Sequence, residues 1–340
     1  MRLEARVEVA ERGVEADVTV GAGRTLALLG PNGSGKSTAL EAIAGVVRPG
    51  RARIVLDGRE LVGSGRPVPP RDRGIVLLAQ DDALFPMSVL DNVAFGPRAA
   101  GRRDARRVAE AWLERVGCAD LASRRPGDLS GGQARRVAIA RALAAEPRVL
   151  LLDEPFAGLD VEAASAIRTM LRSLLADVTA IITTHDVLDA HTLADDVAVM
   201  AGGRVVEAGT ATEVLTRPRT PFAARMAARV LVAGTMRGGA LELEGGVRVP
   251  VSGGPRGGEA AAVALPPSAV VLAIGDAPRD RSLAWVPDAV RALEPRGDEV
   301  RVVGAAVAAD VDAAVAASLD AGAVVWFGVP RGHLAYALTG

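Results

Sequence analysis

A glycine-rich loop near the amino terminus constrains this chain more than any other feature of its sequence. Residues 30–38 read GPNGSGKST; the apolar run RTLALL precedes them at 24–29, and the helical pattern STALEAIAGVV begins at Ser37. A loop of this spacing between a strand and a helix brings backbone N–H groups and a lysine around phosphate oxygens. The sequence therefore predicts a strand, a loop and a helix that hold the phosphates of a nucleotide.

The loop contains Lys36, the only lysine among the 340 residues. An ammonium is a compact point charge and a guanidinium is a wide planar fork, so arginine does not replace lysine beside phosphates. Gly33 and Gly35 would let backbone N–H groups converge on phosphate oxygens, and Ser37 would offer its hydroxyl to Mg²⁺. A glycine-rich turn with a solvated lysine is the alternative, but it leaves the flanking strand and helix unexplained. The predicted nucleotide-binding residues of the loop are Gly30, Pro31, Asn32, Gly33, Ser34, Gly35, Lys36, Ser37 and Thr38.

Side-chain amides are almost as scarce as lysine. The chain contains two glutamines, Gln80 and Gln133, and two asparagines, Asn32 and Asn92, within a sequence rich in Ala, Arg, Gly and Val. Such a skew is typical of a GC-rich coding bias. We hypothesise that each remaining amide marks a position at which a substitute would not serve.

The overall composition excludes several classes of protein. Forty basic residues against 41 acidic ones give a formal net charge of -1, which does not favour a nucleic-acid partner. A single cysteine, Cys118, and the lack of a signal-peptide pattern favour a reducing cytoplasm. No apolar run approaches the roughly 20 residues of a membrane-spanning helix. We expect a chain that does not cross a membrane.

Short apolar runs alternate with helical patterns through the first two thirds of the chain. Helical patterns at 104–116 and 161–176 separate some of these runs. This alternation predicts a mainly parallel sheet covered by helices. The further predicted strands are RIVL at 53–56, GIVLLA at 74–79, VLLLD at 149–153 and TAIITT at 179–184.

The composition changes after a short helical pattern at about 221–229. Beyond it, short Val- and Ala-rich runs are separated by glycine pairs, which is typical of a small β domain. We therefore predict an α/β domain over 1–229, with a helical subdomain at about 85–145, and a β domain over 230–340.

Two carboxylates follow the predicted strand VLLLD. Because this strand is apolar, Asp153 should lie at the carboxyl edge of a parallel sheet, where ligands of such sheets bind. Asp153 would hold Mg²⁺ there, and Glu154 would polarise the attacking water. An acidic pair that caps a helix is the alternative, and it becomes weak beside the phosphate loop.

A third motif, LSGGQ at 129–133, opens an amphipathic helical pattern with a serine hydroxyl and two glycine N–H groups. Together GPNGSGKST, VLLLDEP and LSGGQ resemble the ATP-binding subunits of ATP-binding cassette (ABC) transporters. The resemblance identifies Gln80 as the glutamine-loop residue, Asp160 of GLD as the aspartate-loop residue and His185 as the switch histidine. Gln80 or His185 alone would pass for a surface polar residue, but both glutamines of the chain fall inside motifs of this family.

The resemblance implies a P-loop ABC ATPase domain, with ATP and Mg²⁺ as cofactors, followed by an OB-like accessory β domain. It implies that Ser37, Gln80 and Asp153 help to bind the Mg²⁺, while Glu154 and His185 serve hydrolysis. In this family the LSGGQ motif faces nucleotide on a partner subunit, so one motif set implies a homodimer. The residues assigned to that second face are Ser130, Gly131, Gly132 and Gln133.

The segment 81–98 resembles importer subunits, in which it docks on a membrane permease. Leu84, Phe85 and Pro86 are the predicted docking residues; an ordinary buried hairpin is the alternative. This likeness implies a peripheral protein on the cytoplasmic face of the cell membrane, served indirectly by an external solute-binding protein. Residues 1–29 lack the aromatic that many relatives stack on adenine, so we expect a looser or aliphatic contact with the base.

The carboxyl-terminal region, especially 267–293, resembles the molybdate-type importer subunit. Sulfate, ferric iron and polyamine importers remain alternatives. No residue of the region is a clear oxyanion ligand, because Arg281 and Ser282 could as easily be turn residues. A non-transport ABC ATPase would usually carry two cassettes or a coiled-coil insertion, and this chain shows neither. A purely regulatory binding module would leave Glu154 and His185 without a role.

Overall fold

The computed structural model describes residues 1–81 and 83–338. Asp82, within the predicted docking segment, and residues 339–340, at the end of the predicted β domain, lie outside the described residues. Contacts divide the chain into two compact units, Met1–Ala211 and Thr212–Gly340. The boundary predicted after residue 229 stays a prediction, because a division by contacts does not show which segments fold independently.

The first unit contains one ten-stranded sheet and the helices around it. Its strands are β1 (Leu3–Val9), β2 (Val14–Val20), β3 (Thr25–Leu29), β4 (Arg51–Leu56), β5 (Arg59–Val62), β6 (Ile75–Leu78), β7 (Val149–Asp153), β8 (Ala180–Thr184), β9 (Asp196–Ala201) and β10 (Arg204–Thr210). Its helices are α1 (Lys36–Ala44), α2 (Val89–Ala99), α3 (Ala105–Arg115), α4 (Gly131–Ala144), α5 (Val161–Leu174) and α6 (Val187–Leu193). The α/β class predicted from the alternation of runs is confirmed.

The sheet has the order β5-β4-β1-β2-β10-β9-β3-β8-β7-β6. The five strands from β9 to β6 are parallel to one another, whereas β5, β4, β1 and β2 form an antiparallel part. Strand β10 joins the two parts and is parallel to β2 and antiparallel to β9. Every residue of β3, β7 and β8 is buried, as expected for central parallel strands with both faces covered. That burial explains why the sequence shows them as continuous apolar runs.

The antiparallel part includes two strands that the sequence interpretation missed. In β1, Leu3, Ala5, Val7 and Val9 are buried while the residues between them are more exposed. Strand β2 has the same alternation, and the two strands pair in register from Leu3–Val20 to Val9–Val14. A period of two residues was the signal for these strands.

Helix α1 follows the glycine-rich loop and ends at Ala44, with Gly45 as its cap. Gly45 has a φ of 89°, and its N–H donates to the Glu41 carbonyl at 2.9 Å, which closes the last turn. Helices α2, α3 and α4 pack against one another and form the predicted helical subdomain. Strand β6 and α4 are also in contact, so the subdomain adjoins the edge of the sheet.

The second unit is built mainly from antiparallel sheets of five, three and three strands. Buried aliphatic side chains and Phe327 form its own hydrophobic core. The OB-like character predicted for it stays a prediction. Its elements are α7 (Ala211–Thr216), α8 (Pro221–Met226), β11 (Val230–Arg237), β12 (Ala240–Glu242), β13 (Arg248–Pro250), β14 (Ala260–Leu265), β15 (Val271–Ile274), β16 (Leu283–Ala289), β17 (Ala292–Arg296), β18 (Glu299–Val303), β19 (Ala308–Asp312), α9 (Ala313–Ala316), β20 (Val324–Pro330) and β21 (Tyr336–Ala337).

Strand β20 offers a direct test of this core, because Phe327 is fully buried and Val324 on the same strand is 65% exposed. We expect Phe327→Ala to lower the free energy of unfolding of the second unit by about 3–5 kcal/mol, because it removes a large buried side chain. Val324→Ala should change it by less than about 0.5 kcal/mol. Urea unfolding followed by tryptophan fluorescence measures both variants, and equal losses would contradict this assignment of the core.

Candidate nucleotide site

Four parallel strands bring the predicted site residues to one edge of the sheet. Strand β8 lies between β3 and β7, and β7 also pairs with β6. Leu29 is in register with Thr184, and Asp153 is in register with Thr183. The chain therefore enters the phosphate loop, the Asp153–Glu154 pair and the His185 turn at neighbouring strand ends, the usual ligand position in such sheets.

The phosphate loop holds Lys36 inside its own turn. The Lys36 ammonium, in a residue that is 5% exposed, donates to the carbonyls of Gly30 at 2.9 Å and Pro31 at 3.1 Å. Burial lowers the pKa of Lys36, and the nearby carboxylates of Glu154 and Asp153 oppose that shift. Lys36 therefore lies close enough to the carboxylates of Glu154 and Asp153 to interact with them electrostatically.

Two positions of the loop must be glycine, because a side chain would not fit there. A Cβ atom on Gly30 would lie 2.4 Å from the Met200 carbonyl oxygen, and one on Gly35 would lie 2.5 Å from Val14 Cγ2. Gly35 also has a φ of 98°, in the left-handed region that favours glycine. The loop can therefore approach the sheet only because these positions lack a side chain.

Asp153 and Glu154 occupy different environments. Asp153 is 6% exposed and accepts a hydrogen bond from the Thr183 hydroxyl at 2.5 Å. Glu154 has a left-handed backbone with a φ of 43°, which its N–H bond of 2.9 Å to Thr183 Oγ1 supports. Its Oε2 lies 3.9 Å from His185 Nδ1, where the histidine side chain is 67% exposed. The structure thus brings together Glu154 and His185, the two residues predicted to serve hydrolysis.

The residues present fit a magnesium ion. Among the described residues no three His, Cys, Asp or Glu side chains cluster as a metal cage, and magnesium bound through phosphates needs only one or two carboxylates. Asp153 supplies a buried carboxylate, and Ser37 lies exposed in the first turn of α1. Inside the same loop the buried Ser34 hydroxyl has no hydrogen-bond partner, a state that suits a site built to receive oxygen ligands.

The LSGGQ residues have contacts of their own at the start of α4. Ser130 Oγ accepts the Gln133 N–H at 3.3 Å, and Gln133 Oε1 accepts the Ser130 N–H at 3.0 Å, which is a capping box. Gly132 packs so closely on α5 that a Cβ atom would lie 3.2 Å from Ala163 Cβ. Asp160 caps α5, since its Oδ1 accepts the Ala163 N–H at 2.8 Å. Nucleotide contacts of these residues across a dimer stay a prediction.

Gln80 follows β6 and is tied to the LSGGQ helix. The Arg135 guanidinium of α4 donates to the Gln80 carbonyl at 2.8 Å, and the Gln80 side chain is exposed. Beside it lies a groove of about 240 Å³ whose lining includes Gln80, Leu84, Gly131, Gly158 and Leu159. Parts of the glutamine loop, LSGGQ and the GLD segment thus share one groove within the first unit.

Known proteins are similar to this chain, in one case over nearly its whole length. The sequence profile of the ABC transporter family matches residues 14–157. The molybdenum import ATP-binding protein ModC of Mycobacterium tuberculosis is 44% identical, over 98% of this chain and 96% of ModC. The chain belongs to the ATP-binding subunits of ABC transporters.

Two further ABC subunits are similar over part of the chain. The molybdate/tungstate import ATP-binding protein WtpC of Archaeoglobus fulgidus is 43% identical, over 60% of this chain and 85% of WtpC. The Fe(3+) ions import ATP-binding protein FbpC of Mesorhizobium japonicum is 43% identical, over 60% of this chain and 57% of FbpC. Membership of this family makes the chain an ATPase whose activity is coupled to transport. No helix in residues 1–81 and 83–338 is both long and apolar enough to span a membrane.

The segment predicted to dock on a permease exposes aromatic surface. Phe85 is 37% exposed and Phe95 on α2 is 48% exposed, and their ring centroids are 4.8 Å apart. The Arg141 guanidinium lies 4.8 Å from the Phe85 ring centroid. Leu84 is half-buried and Pro86 is exposed. The segment is therefore not the ordinary buried hairpin that was its alternative.

Asn92 holds this segment in place, and the sequence interpretation gave it no role. The fully buried side chain accepts the Phe85 N–H at 2.8 Å and donates to three carbonyls, those of Phe85, Met87 and Ser88, at 3.0 to 3.2 Å. Only a carboxamide offers an acceptor and two donors on so short a side chain. The scarcity of asparagine in this chain was the signal that marked the position.

A second residue without a predicted role is Arg12, between β1 and β2. Its guanidinium donates to Glu41 Oε2 at 2.7 Å and to Thr38 Oγ1 at 3.4 Å, both on α1. It therefore reaches the helix of the phosphate loop from the segment that lacks an aromatic residue. No sequence signal distinguished it from the other arginines.

Replacement of Asn92 should loosen the docking segment. We expect Asn92→Ala to lower the free energy of unfolding by about 2 kcal/mol, because several backbone groups lose their partner. Limited proteolysis within 83–88 should be faster than in the parent protein. Asn32→Ala, at the other, exposed asparagine, is the control and should leave both measurements unchanged. Equal behaviour of the two variants would contradict the role of Asn92.

Proposed function

We propose that this chain is the ATP-hydrolysing subunit of an ABC importer for molybdate. The observation that carries the proposal is the similarity to ModC, which extends over 98% of this chain and therefore includes the second unit. WtpC, named for molybdate and tungstate, covers only 60% of this chain and carries less weight than ModC. The relatives named for ferric iron and for spermidine and putrescine match only 60% to 61% of the chain, which makes them weaker guides.

In this proposal the phosphate loop binds ATP. Lys36 and the N–H groups of the loop hold the phosphates, since Lys36 is buried within the turn and its ammonium stays beside the strand ends. Ser37, Gln80 and Asp153 would hold Mg²⁺. When bound, Mg²⁺ supplies charge neutralisation at the terminal phosphates. Asp153 is preorganised for this role by its hydrogen bond from Thr183.

Glu154 and His185 are proposed to serve hydrolysis. Glu154 would accept a hydrogen bond from the attacking water and orient it, which is the main task of protein groups in phosphoryl transfer. Its carboxylate is largely shielded, at 18% side-chain exposure, whereas His185 lies exposed 3.9 Å away. His185 would then contact the terminal phosphate or the same water from the adjacent strand end.

The assembly is proposed from the same surfaces. Ser130, Gly131 and Gln133 lie at the start of α4, where a helix amino terminus suits the phosphates of ATP on a second copy. One motif set per chain then requires a homodimer with two sites. The exposed Phe85 and Phe95 suit a permease at the cytoplasmic face of the membrane, and an external solute-binding protein would deliver the solute.

Glu154→Gln tests the catalytic assignment. We expect this variant to keep ATP binding but to lose at least about 100-fold in kcat, because the amide cannot accept a proton or orient water as the carboxylate does. Steady-state phosphate release and titration with a fluorescent ATP analogue measure the two effects. Glu162→Gln, at an exposed acid of α5, is the control and should behave as the parent. Unchanged hydrolysis in Glu154→Gln would reject the assignment.

The solute is tested in the reconstituted complex with its permease and binding protein. We expect molybdate to stimulate ATP hydrolysis and to accumulate in vesicles, while sulfate, ferric iron and spermidine do not. Phe85→Ala should abolish stimulation yet leave the basal hydrolysis of the isolated subunit unchanged, because the ring contacts Phe95 and Arg141 rather than the residues proposed to bind or hydrolyse ATP. Stimulation by another solute alone would replace molybdate by that solute and leave the ATPase assignment intact.

A further inference from the structure

Two consecutive threonines end β8 immediately before His185. Thr183 is fully buried and Thr184 is 3% exposed, although neighbouring residues of a strand point to opposite faces of the sheet. A buried parallel strand favours apolar side chains, as Ile181 and Ile182 show. The two buried hydroxyls therefore need partners, and each finds them on a different side of the strand.

Thr183 joins β8 to the end of β7. Its hydroxyl donates to Asp153 Oδ1 at 2.5 Å and accepts the Glu154 N–H at 2.9 Å. Glu154 has a φ of 43°, a conformation that costs a non-glycine residue about 1–3 kcal/mol unless its surroundings hold it. One hydroxyl thus fixes the carboxylate of Asp153 and the unusual backbone that directs Glu154.

Thr184 fixes the turn that carries His185. Its hydroxyl donates to Asp189 Oδ2 at 2.6 Å and accepts the Asp186 N–H at 3.0 Å, so the residues on both sides of His185 are held. Asp189 lies on α6 and is 1% exposed. The turn is therefore anchored to a buried group rather than to solvent.

The anchor of Thr184 leads back to the segment after Glu154. Asp189 forms an ion pair with Arg168 of α5 at 2.6 Å, and both side chains are largely buried. The Arg168 guanidinium lies 5.2 Å from the ring centroid of Phe156, two residues beyond Glu154. A continuous set of contacts therefore connects the His185 turn with the loop that follows the Asp153–Glu154 pair.

We propose that Thr183 and Thr184 are positioning residues for ATP hydrolysis: Thr183 orients Asp153 and Glu154, and Thr184 orients His185. The inference rests on the proposed function, since it concerns the residues that hydrolyse ATP there. Because both hydroxyls belong to one strand, that strand sets the separation of 3.9 Å between Glu154 and His185. Hydrogen-bonded supports of this kind typically change activity by about 10–100-fold when removed.

The chain contains a matched control at the other end of the same strand. Thr179 directly precedes β8 and is 3% exposed. Its hydroxyl donates to the Met1 carbonyl at 2.7 Å and accepts the Gly23 N–H at 2.9 Å. Thr179 therefore resembles Thr183 in burial and in hydrogen bonding, but it lies away from the strand ends that carry the site.

The experiment compares Thr183→Val, Thr184→Val and Thr179→Val, each of which removes a hydroxyl with little change of shape. We expect kcat to fall about 10–100-fold in the first two, with the Kd for a fluorescent ATP analogue unchanged. Thr179→Val should lose similar thermal stability but keep the parent kcat. Thr183→Ser and Thr184→Ser retain the hydroxyl and should recover most of the rate.

A double-mutant cycle separates positioning from mere stability. In the Glu154→Gln background Thr183→Val should lower the residual hydrolysis by a smaller factor than in the parent, because one of the two carboxylates that it positions has already been replaced. A full additional loss, or equal kcat losses in Thr183→Val and Thr179→Val, would overturn the proposal. Absence of ATP hydrolysis in the parent protein would overturn the proposed function. Normal hydrolysis in Glu154→Gln would overturn the catalytic role of Glu154, whereas normal hydrolysis in Thr183→Val alone would overturn only this inference.

Discussion

The parallel pairing of β3, β8, β7 and β6 is the constraint on which the rest of the structure depends. Four strands in register, three of which are buried throughout, end together, so the segments that follow them must meet at one edge. The core that holds this register is apolar, but the residues just past it are charged or polar. Chemistry is thus assembled from distant parts of the chain without any of those segments being adjacent in sequence.

The same constraint explains why polar groups can be buried beside the core. Lys36 and Asp153 are each less than a tenth exposed, and each is hydrogen-bonded to a neighbouring group. A buried charge without partners would be strongly destabilising. Here the backbone carbonyls of the loop and a threonine hydroxyl provide hydrogen-bond partners for the charges. The site is therefore buried where it meets the sheet and exposed where His185 and Ser37 lie.

Much of this arrangement was predictable from sequence because it depends on local patterns. Apolar runs predicted the central strands, and the motif spacing predicted that Lys36, Asp153 and Glu154 follow the ends of those strands. The sequence could not predict the partners of Asn92 or Thr183, since one side chain's hydrogen bonds depend on which distant segment packs against it. The contact of Arg12 with α1 could not be predicted either, because it forms only when β1 and β2 join the sheet. Strands β1 and β2 show an alternation of apolar and polar residues in the sequence, but they were not predicted.

The hydrogen bonds of the capping box help to explain why residue 130 is a serine. A hydroxyl carries one hydrogen and two lone pairs, and the cap uses only a lone pair, to accept the Gln133 N–H. The hydroxyl hydrogen takes no part in the cap, so it can donate to an anion at the helix end. Aspartate would cap α4 equally well, but it would bring a negative charge and no donor. Among the good caps, only serine and threonine close the helix through an oxygen atom that still carries a hydrogen to donate.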